Sequence, residues 1–187
     1  MRDYRAEFEN RVAFIRNLVE QSHVKGIVFG NSGGKDCALV GILCKAACSD
    51  TVSVLLPCAS SRNYGSDTDD ALALVRQFGI ESRTVDLTAA RAAMVEALKD
   101  QTELTDAALA NIAPRLRMNA LYAIAGAENR LVAGTGNRSE VYMGYLPHIE
   151  GCEHSFYEYD VTKFERGTGE ILAEQYAEVL TELKNAG

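Results

Sequence analysis

The stretch Ile27-Val28-Phe29-Gly30-Asn31-Ser32-Gly33-Gly34-Lys35-Asp36-Cys37-Ala38-Leu39-Val40 decides the fold. An apolar, β-branched run enters it, glycines and a serine turn it, and helix-compatible residues leave it. This is the pattern of a strand, a tight loop and a helix start. Such a loop aims successive backbone N–H groups and the positive end of a helix dipole at one small volume. Anions bind there, and phosphate is the usual one.

Upstream, Tyr4, Phe8, Val12, Ile15 and Val19 keep three-to-four spacing, which predicts an amphipathic helix from Asp3 to about Gln21. Val24 to Phe29 is then the first strand, and a broadly apolar, largely buried helix runs from about Asp36 to Ala47. Thr51 to Leu56 reads as a second strand, ended by Pro57 and a loop through Ser60, Ser61, Arg62, Asn63, Tyr64 and Gly65. Ser66 or Asp67 can cap a helix that carries Ala71, Leu72, Leu74, Val75 and Phe78 and stops at Gly79. Glu81 to Leu87 is a third strand, and Thr88 caps a helix with Ala92, Val95 and Leu98 on one side. Leu109 to Glu128 is mainly helical, with Pro114 in the first turn of its main segment.

Arg130 to Ala133 is a fourth strand, entering a second glycine-bearing loop, Gly134-Thr135-Gly136-Asn137-Arg138-Ser139-Glu140. Helical spacing returns from Glu170 to Lys184. Strands alternating with helices give an α/β fold, a doubly wound parallel sheet with helices on both faces. Ligands of such sheets bind beyond the carboxyl ends of the strands, where both glycine loops sit, so the two loops are expected to face one crevice.

A length of 187 residues fits a single domain, 1–187, with a sizeable core. The formal charge of −7 argues against nucleic-acid and anionic-membrane partners, which need cationic surfaces. The charged start, Met1-Arg2-Asp3-Tyr4-Arg5, is unlike a secretory signal, and no apolar run reaches membrane-spanning length, so a soluble, cytoplasmic protein is expected. Five cysteines, Cys37, Cys44, Cys48, Cys58 and Cys152, include no C-x-x-C pair and indicate neither a disulfide framework nor a zinc site. Cys44 and Cys48, one helical turn apart, read as buried small hydrophobes rather than ligands.

Two familiar phosphate loops do not fit. Asp36 stands where G-x-x-x-x-G-K-[ST] needs a hydroxyl residue, and G-x-G-x-x-G is missing. Ser32-Gly33-Gly34-Lys35-Asp36-Cys37 after an apolar strand instead resembles the pyrophosphate loop of the N-type ATP pyrophosphatases, which cleave ATP between the α and β phosphates to adenylate a substrate. Residue chemistry supplies the roles. Gly33 and Gly34 allow close backbone approach, Ser32 offers a hydroxyl and Lys35 adds positive charge. Asp36 beside a polyphosphate is repulsive unless a cation intervenes, so it is predicted to bind Mg²⁺; the alternative is an N-cap aspartate. Cys37 replaces a serine frequent in these loops.

The second loop, Gly134 to Glu140 followed by Gly144-Tyr145, resembles the G-T-G-N-[KR]-S-E…G-[YF] segment of ammonia-dependent NAD synthetases. Asn111-x-x-x-Arg115-x-Arg117-Met118 is similar to that family's N-x-x-x-R-x-R-M helix, and Leu56-Pro57-Cys58 and Asp69-Asp70-Ala71-Leu72 resemble two further segments. The resemblance implies that Gly30, Ser32, Gly33, Gly34, Lys35, Asp36, Cys37 and Thr135 contact ATP, and that Glu140 joins Asp36 on magnesium. It implies that Arg115 and Asn111 contact deamido-NAD, with Lys35, Asp36 and Glu140 at the chemistry. The implied reaction adenylates the nicotinate carboxylate with ATP, releasing pyrophosphate; ammonia then displaces AMP and leaves NAD. A homodimer is implied as well.

Beyond Tyr145 the family's G-[YF]-F-T-K-x-G-D gives way to Leu146-Pro147-His148-Ile149-Glu150-Gly151, with His148 near the usual lysine. Asp160-Val161-Thr162-Lys163 resembles the family's D-L-T-K, which would make Lys163 an ATP contact. Alternatively Phe156 to Glu170 matches a later helix and some tens of residues are absent between Glu150 and Glu153. Competing functions are another ATP pyrophosphatase, acting on a different acid or a tRNA base, and an adenine-nucleotide-binding protein without turnover.

Overall fold

The computed structural model describes residues 3–59 and 66–136. The predicted helix from Glu170 to Lys184, the loop from Ser60 to Gly65 and the part of the single-domain expectation past Gly136 lie outside them. Helices α1 (Tyr4–Gln21), α2 (Lys35–Ala47), α3 (Ser66–Phe78), α4 (Thr88–Leu98) and α5 (Asp106–Glu128) alternate with strands β1 (Gly26–Gly30), β2 (Thr51–Leu55), β3 (Glu81–Thr84) and β4 (Arg130–Ala133), except that α5 follows α4 directly. Among the described residues the strands form one parallel sheet in the order β3-β2-β1-β4.

Alternation along the strands divides the core into two layers. On one face, Ile27 and Phe29 of β1 pack with Ile15 of α1, Cys44 of α2 and Val75 of α3. On the other, Val28, Val52, Val54 and Val132 pack against α5 through Ala125, Leu121, Tyr122 and Ile124. The doubly wound expectation is therefore met, with helices on both faces. α4 rests on α5 and buries none of its side chains; of the expected side, Val95 and Leu98 are half-buried while Ala92 is exposed.

The strand order fixes where ligands can gather. The chain builds outward from β1 through β2 to β3, then crosses to β4 on the opposite side of β1. The order therefore reverses at β1, and crevices open at the carboxyl ends around such a reversal.

Several boundaries differ from the sequence expectation, each for a local reason. β1 begins at Gly26 rather than Val24, because His23 takes a left-handed φ of 52° and Lys25 N–H is drawn to Asn129 O at 2.8 Å. Thr88 does not cap α4; it is the first helical residue, its Oγ1 accepting from Ala59 N–H at 3.1 Å, while Asp86 Oδ1 accepts from Thr88 N–H at 2.8 Å. Ser66 already belongs to α3 rather than preceding it. Pro114 lies well inside α5, not in a first turn, because Thr105 caps the helix through Ala108 N–H at 3.2 Å. Gly79 takes a φ of 60° after α3, as expected of a helix-ending glycine.

Candidate active site

The loop after β1 is built from the strand outward. Gly30 closes β1, and a Cβ there would lie 3.2 Å from Leu121 Cδ1, so the missing side chain lets α5 close on the strand end. Asn31 N–H then continues the ladder to Val54 O at 2.9 Å. Gly33 adopts a φ of 81°, a left-handed conformation natural to glycine. Gly34 is the N-cap of α2, and the first helical bond runs from Ala38 N–H to Gly34 O at 3.0 Å. Backbone N–H groups ahead of that bond are the ones a helix leaves for an anion.

Side chains complete the cradle. Ser32 is exposed, and its Oγ accepts from Gly34 N–H at 3.3 Å and touches Cys37 Sγ at 3.2 Å. Cys37 is buried, so its thiol lies inward against Ser32. Lys35 is exposed at the first position of α2. Asp36 is half-buried in the first turn of α2. The N-cap alternative for Asp36 is therefore corrected: Gly34 holds that place.

The second loop leaves the neighbouring strand at the same end. Phe29 pairs with Ala133 in the parallel β1–β4 ladder, so Gly30, the last residue of β1, and Gly134, the first after β4, come next on adjacent strands. Gly134 and Thr135 are half-buried there. Glu140, His148 and Lys163 lie outside the described residues.

α5 brings in the third element. With Leu121 against Gly30, its N-terminal half extends past the carboxyl edge of the sheet. Arg117 Nε donates to Leu56 O at 2.9 Å, clamping the helix to the segment after β2. Asn111 and Arg115 stand up to about 9 Å further along, at 1.5 Å per residue, and both are exposed. In this arrangement Arg115 Nη1 donates to Asn111 O at 3.1 Å, and Asn111 Nδ2 to Ala107 O at 3.0 Å. Arg117 carried no separate role in the sequence motif; its clamp depends on a carbonyl 61 residues away, which no local pattern reveals.

The NAD synthase family model matches residues 7–149, most of the chain. The chain belongs to the NAD synthase family. An NH3-dependent NAD+ synthetase of Carboxydothermus hydrogenoformans is 38% identical over 141 residues, covering 74% of this chain and 57% of that protein. The solved NH3-dependent NAD synthetase of Campylobacter jejuni, in complex with nitrate, superposes with a TM-score of 0.71 at 33% identity over 78% of this chain and 62% of its own. The NMN synthetase of Francisella tularensis gives a TM-score of 0.72 at 31% identity, over 78% and 60%. This chain spans about half the length of the curated relatives it matches.

Among the described residues, no three His, Cys, Asp or Glu side chains gather as a metal cluster. Magnesium does not require one, since it is held by one or two carboxylates together with substrate phosphates. Asp36, half-buried beside the loop, fits that single-carboxylate role. No helix among the described residues is long and apolar enough to cross a membrane.

Proposed function

We propose that this chain catalyses the ATP-dependent amidation of deamido-NAD by ammonia, yielding NAD, AMP and pyrophosphate, as one synthetase domain over residues 1–187. The observation that carries this reading is the pair of glycine loops leaving adjacent parallel strands at the carboxyl edge, in a chain of the NAD synthase family. Gly30, Ser32, Gly33, Gly34, Lys35 and Cys37 form the ATP-phosphate cradle, and Thr135 contacts the nucleotide from the β4 side. On the alignment that matches Asp160-Val161-Thr162-Lys163 to the family's D-L-T-K, Lys163 is a further ATP contact. Arg115 and Asn111 bind deamido-NAD. Asp36 and Glu140 would hold Mg²⁺, which neutralises charge on the polyphosphate when bound.

A carboxylate oxygen of the nicotinate attacks the α-phosphorus, forming an O–P bond as the bond to pyrophosphate breaks. Charge grows on the leaving pyrophosphate, where the Ser32 hydroxyl, the Lys35 ammonium and the N–H groups opening α2 meet it. Ammonia then attacks the activated carbonyl carbon, and AMP departs with the carboxylate oxygen. No protein nucleophile is needed, so positioning supplies much of the rate. The enzyme works as a cytoplasmic homodimer, a state that sedimentation measures directly.

The test incubates the 187-residue chain with ATP, Mg²⁺, ammonium and deamido-NAD. NAD, AMP and pyrophosphate are expected in equal amounts, and Asp36→Asn is expected to lower turnover by at least about a hundredfold, as loss of a charge-stabilising group does. Pyrophosphate release that ignores deamido-NAD would overturn the reading. The likeness to an NMN synthetase favours a second acid, the nicotinate mononucleotide, so both acids are assayed and the larger kcat/KM identifies the substrate.

A further inference from the structure

Asn31 is 6% exposed, and its amide is bonded in three directions. Nδ2 donates to Ser53 Oγ at 3.2 Å in β2 and to Ala71 O at 3.4 Å in α3. Oδ1 accepts from Gly33 N–H at 3.1 Å. The last contact is an Asx turn, in which a side chain grips the backbone two residues on and fixes the bend. Here the gripped residue is the glycine with φ of 81° that turns the chain into α2.

Ser53 makes the arrangement harder to explain by packing. It is fully buried in the middle of β2, on the face that meets α3 rather than α5. A hydroxyl and an amide in a core cost stability unless they bond each other, and apolar residues would pack there without that cost. Neither group reaches solvent, so what the pair supplies is a fixed direction for Asn31 Oδ1.

We infer that Asn31 is a positioning residue for nucleotide binding: anchored by Ser53 and the Ala71 carbonyl, it holds Gly33 N–H and so presets the curvature of the Ser32–Lys35 loop before ATP arrives. The inference rests on the reading of that loop as the ATP-phosphate site. Preorganisation of this kind improves affinity because the bound loop shape is already formed. The Asn31 side chain acts through the backbone of Gly33 and touches no substrate.

The experiment compares the 187-residue chain with Asn31→Ala, Asn31→Ser and Ser53→Ala. Amide hydrogen exchange at Gly33 is read without ligand; ATP affinity is read by direct titration with Mg²⁺, alongside KM for deamido-NAD and Tm. Asn31→Ala is expected to speed Gly33 exchange and to weaken ATP binding, each by about tenfold, as loss of one net hydrogen bond implies. KM for deamido-NAD should stay within about twofold, because the acid does not contact this loop. Asn31→Ser keeps a weaker acceptor at the same spacing and is expected to recover part of the ATP affinity without recovering Tm.

Equal ATP affinity in Asn31→Ala and the parent chain would overturn the inference. So would a loss that is the same in Asn31→Ser and Asn31→Ala and follows Tm. Should Asn31→Ala fail to fold, Ser53→Ala and Asn31→Ser decide it by Gly33 exchange: unchanged exchange in both overturns it. A parent chain that binds ATP but forms no NAD removes the amidation reading and leaves the ATP-affinity and Gly33-exchange comparisons decisive. NAD formation with Gly33 exchange as fast as an unfolded amide removes the inference alone, and a parent chain that binds no ATP removes both.

Discussion

Gly41 brings α2 down onto Phe29: a Cβ there would sit 2.6 Å from the ring's Cζ, and both residues are buried. Phe29 is fixed in the core, so Gly41→Ala is expected to destabilise the fold by ~1–3 kcal/mol, the usual cost of overpacking, seen as a lower urea midpoint with unchanged m. One turn before Cys48, Cys44 is the most deeply buried cysteine among the described residues. Cys44 is 1% exposed, and burial, helped by the neighbouring Cys48, pushes its thiol up to about 12. A thiol at that value carries almost no thiolate near pH 8, so iodoacetamide should label half-exposed Cys48 in the folded chain and spare Cys44. Mass mapping of the labelled peptides checks this; prior labelling of Cys44 would contradict it. The expectation that Cys44 and Cys48 are both buried hydrophobes holds for Cys44, inside the broadly apolar α2, and is corrected for Cys48, which caps the end of that helix and is only half-buried. The polar pair Asn31 and Ser53 was not legible. Ser53 sits in a strand whose other residues are apolar or β-branched, and its partner is 22 residues away.

At the level of elements, periodicity located each helix and strand of the described residues, while ends went astray where a non-local contact set them. Thr88 has the chemistry of a cap, yet its hydroxyl is taken by Ala59, whose own φ of 53° no pattern announces. Pro114 is the clearest conflict between local preference and tertiary context. It denies α5 one backbone bond, but the helix continues through it because Leu116, Ala120, Leu121 and Ile124 downstream pack on the sheet. Pro114→Ala is therefore expected to raise stability by ~1–2 kcal/mol, below the full interior-proline penalty because proline also restricts the unfolded chain. Urea unfolding at constant m measures it. The site was legible to the extent that glycine loops advertise themselves: Ser32 to Cys37 and Gly134-Thr135 lie where their motifs put them, at neighbouring strand ends. The Arg117 clamp emerges only once α5 is laid against the segment after β2.

Across the whole molecule, charges knit the edge of the sheet opposite the site. Glu128, at the end of α5, bonds Arg83 of β3 and, at 2.8 Å, Arg130 of β4; Arg130 also reaches Asp50 ahead of β2 at 2.8 Å. These guanidiniums, Arg83 first and then Arg130, hold the Glu128 carboxyl below its ordinary value of 4.5. A carboxyl depressed by folding contributes stability above its unfolded pKa and loses it as pH falls through the lower folded value. Glu128→Gln should accordingly lower stability at neutral pH and flatten its decline below 4.5, which urea midpoints across pH 2.5–7 would show as a smaller slope than the parent's. At the other edge, the claim that joins both glycine loops to one reaction is that the acid is adenylated. Deamido-NAD carrying ¹⁸O at both oxygens of its nicotinate carboxylate tests this, through mass analysis of the products of one turnover with ATP and ammonium. Adenylation puts one ¹⁸O in AMP and none in pyrophosphate; label in inorganic phosphate with release of ADP, or unlabelled AMP, would refute it.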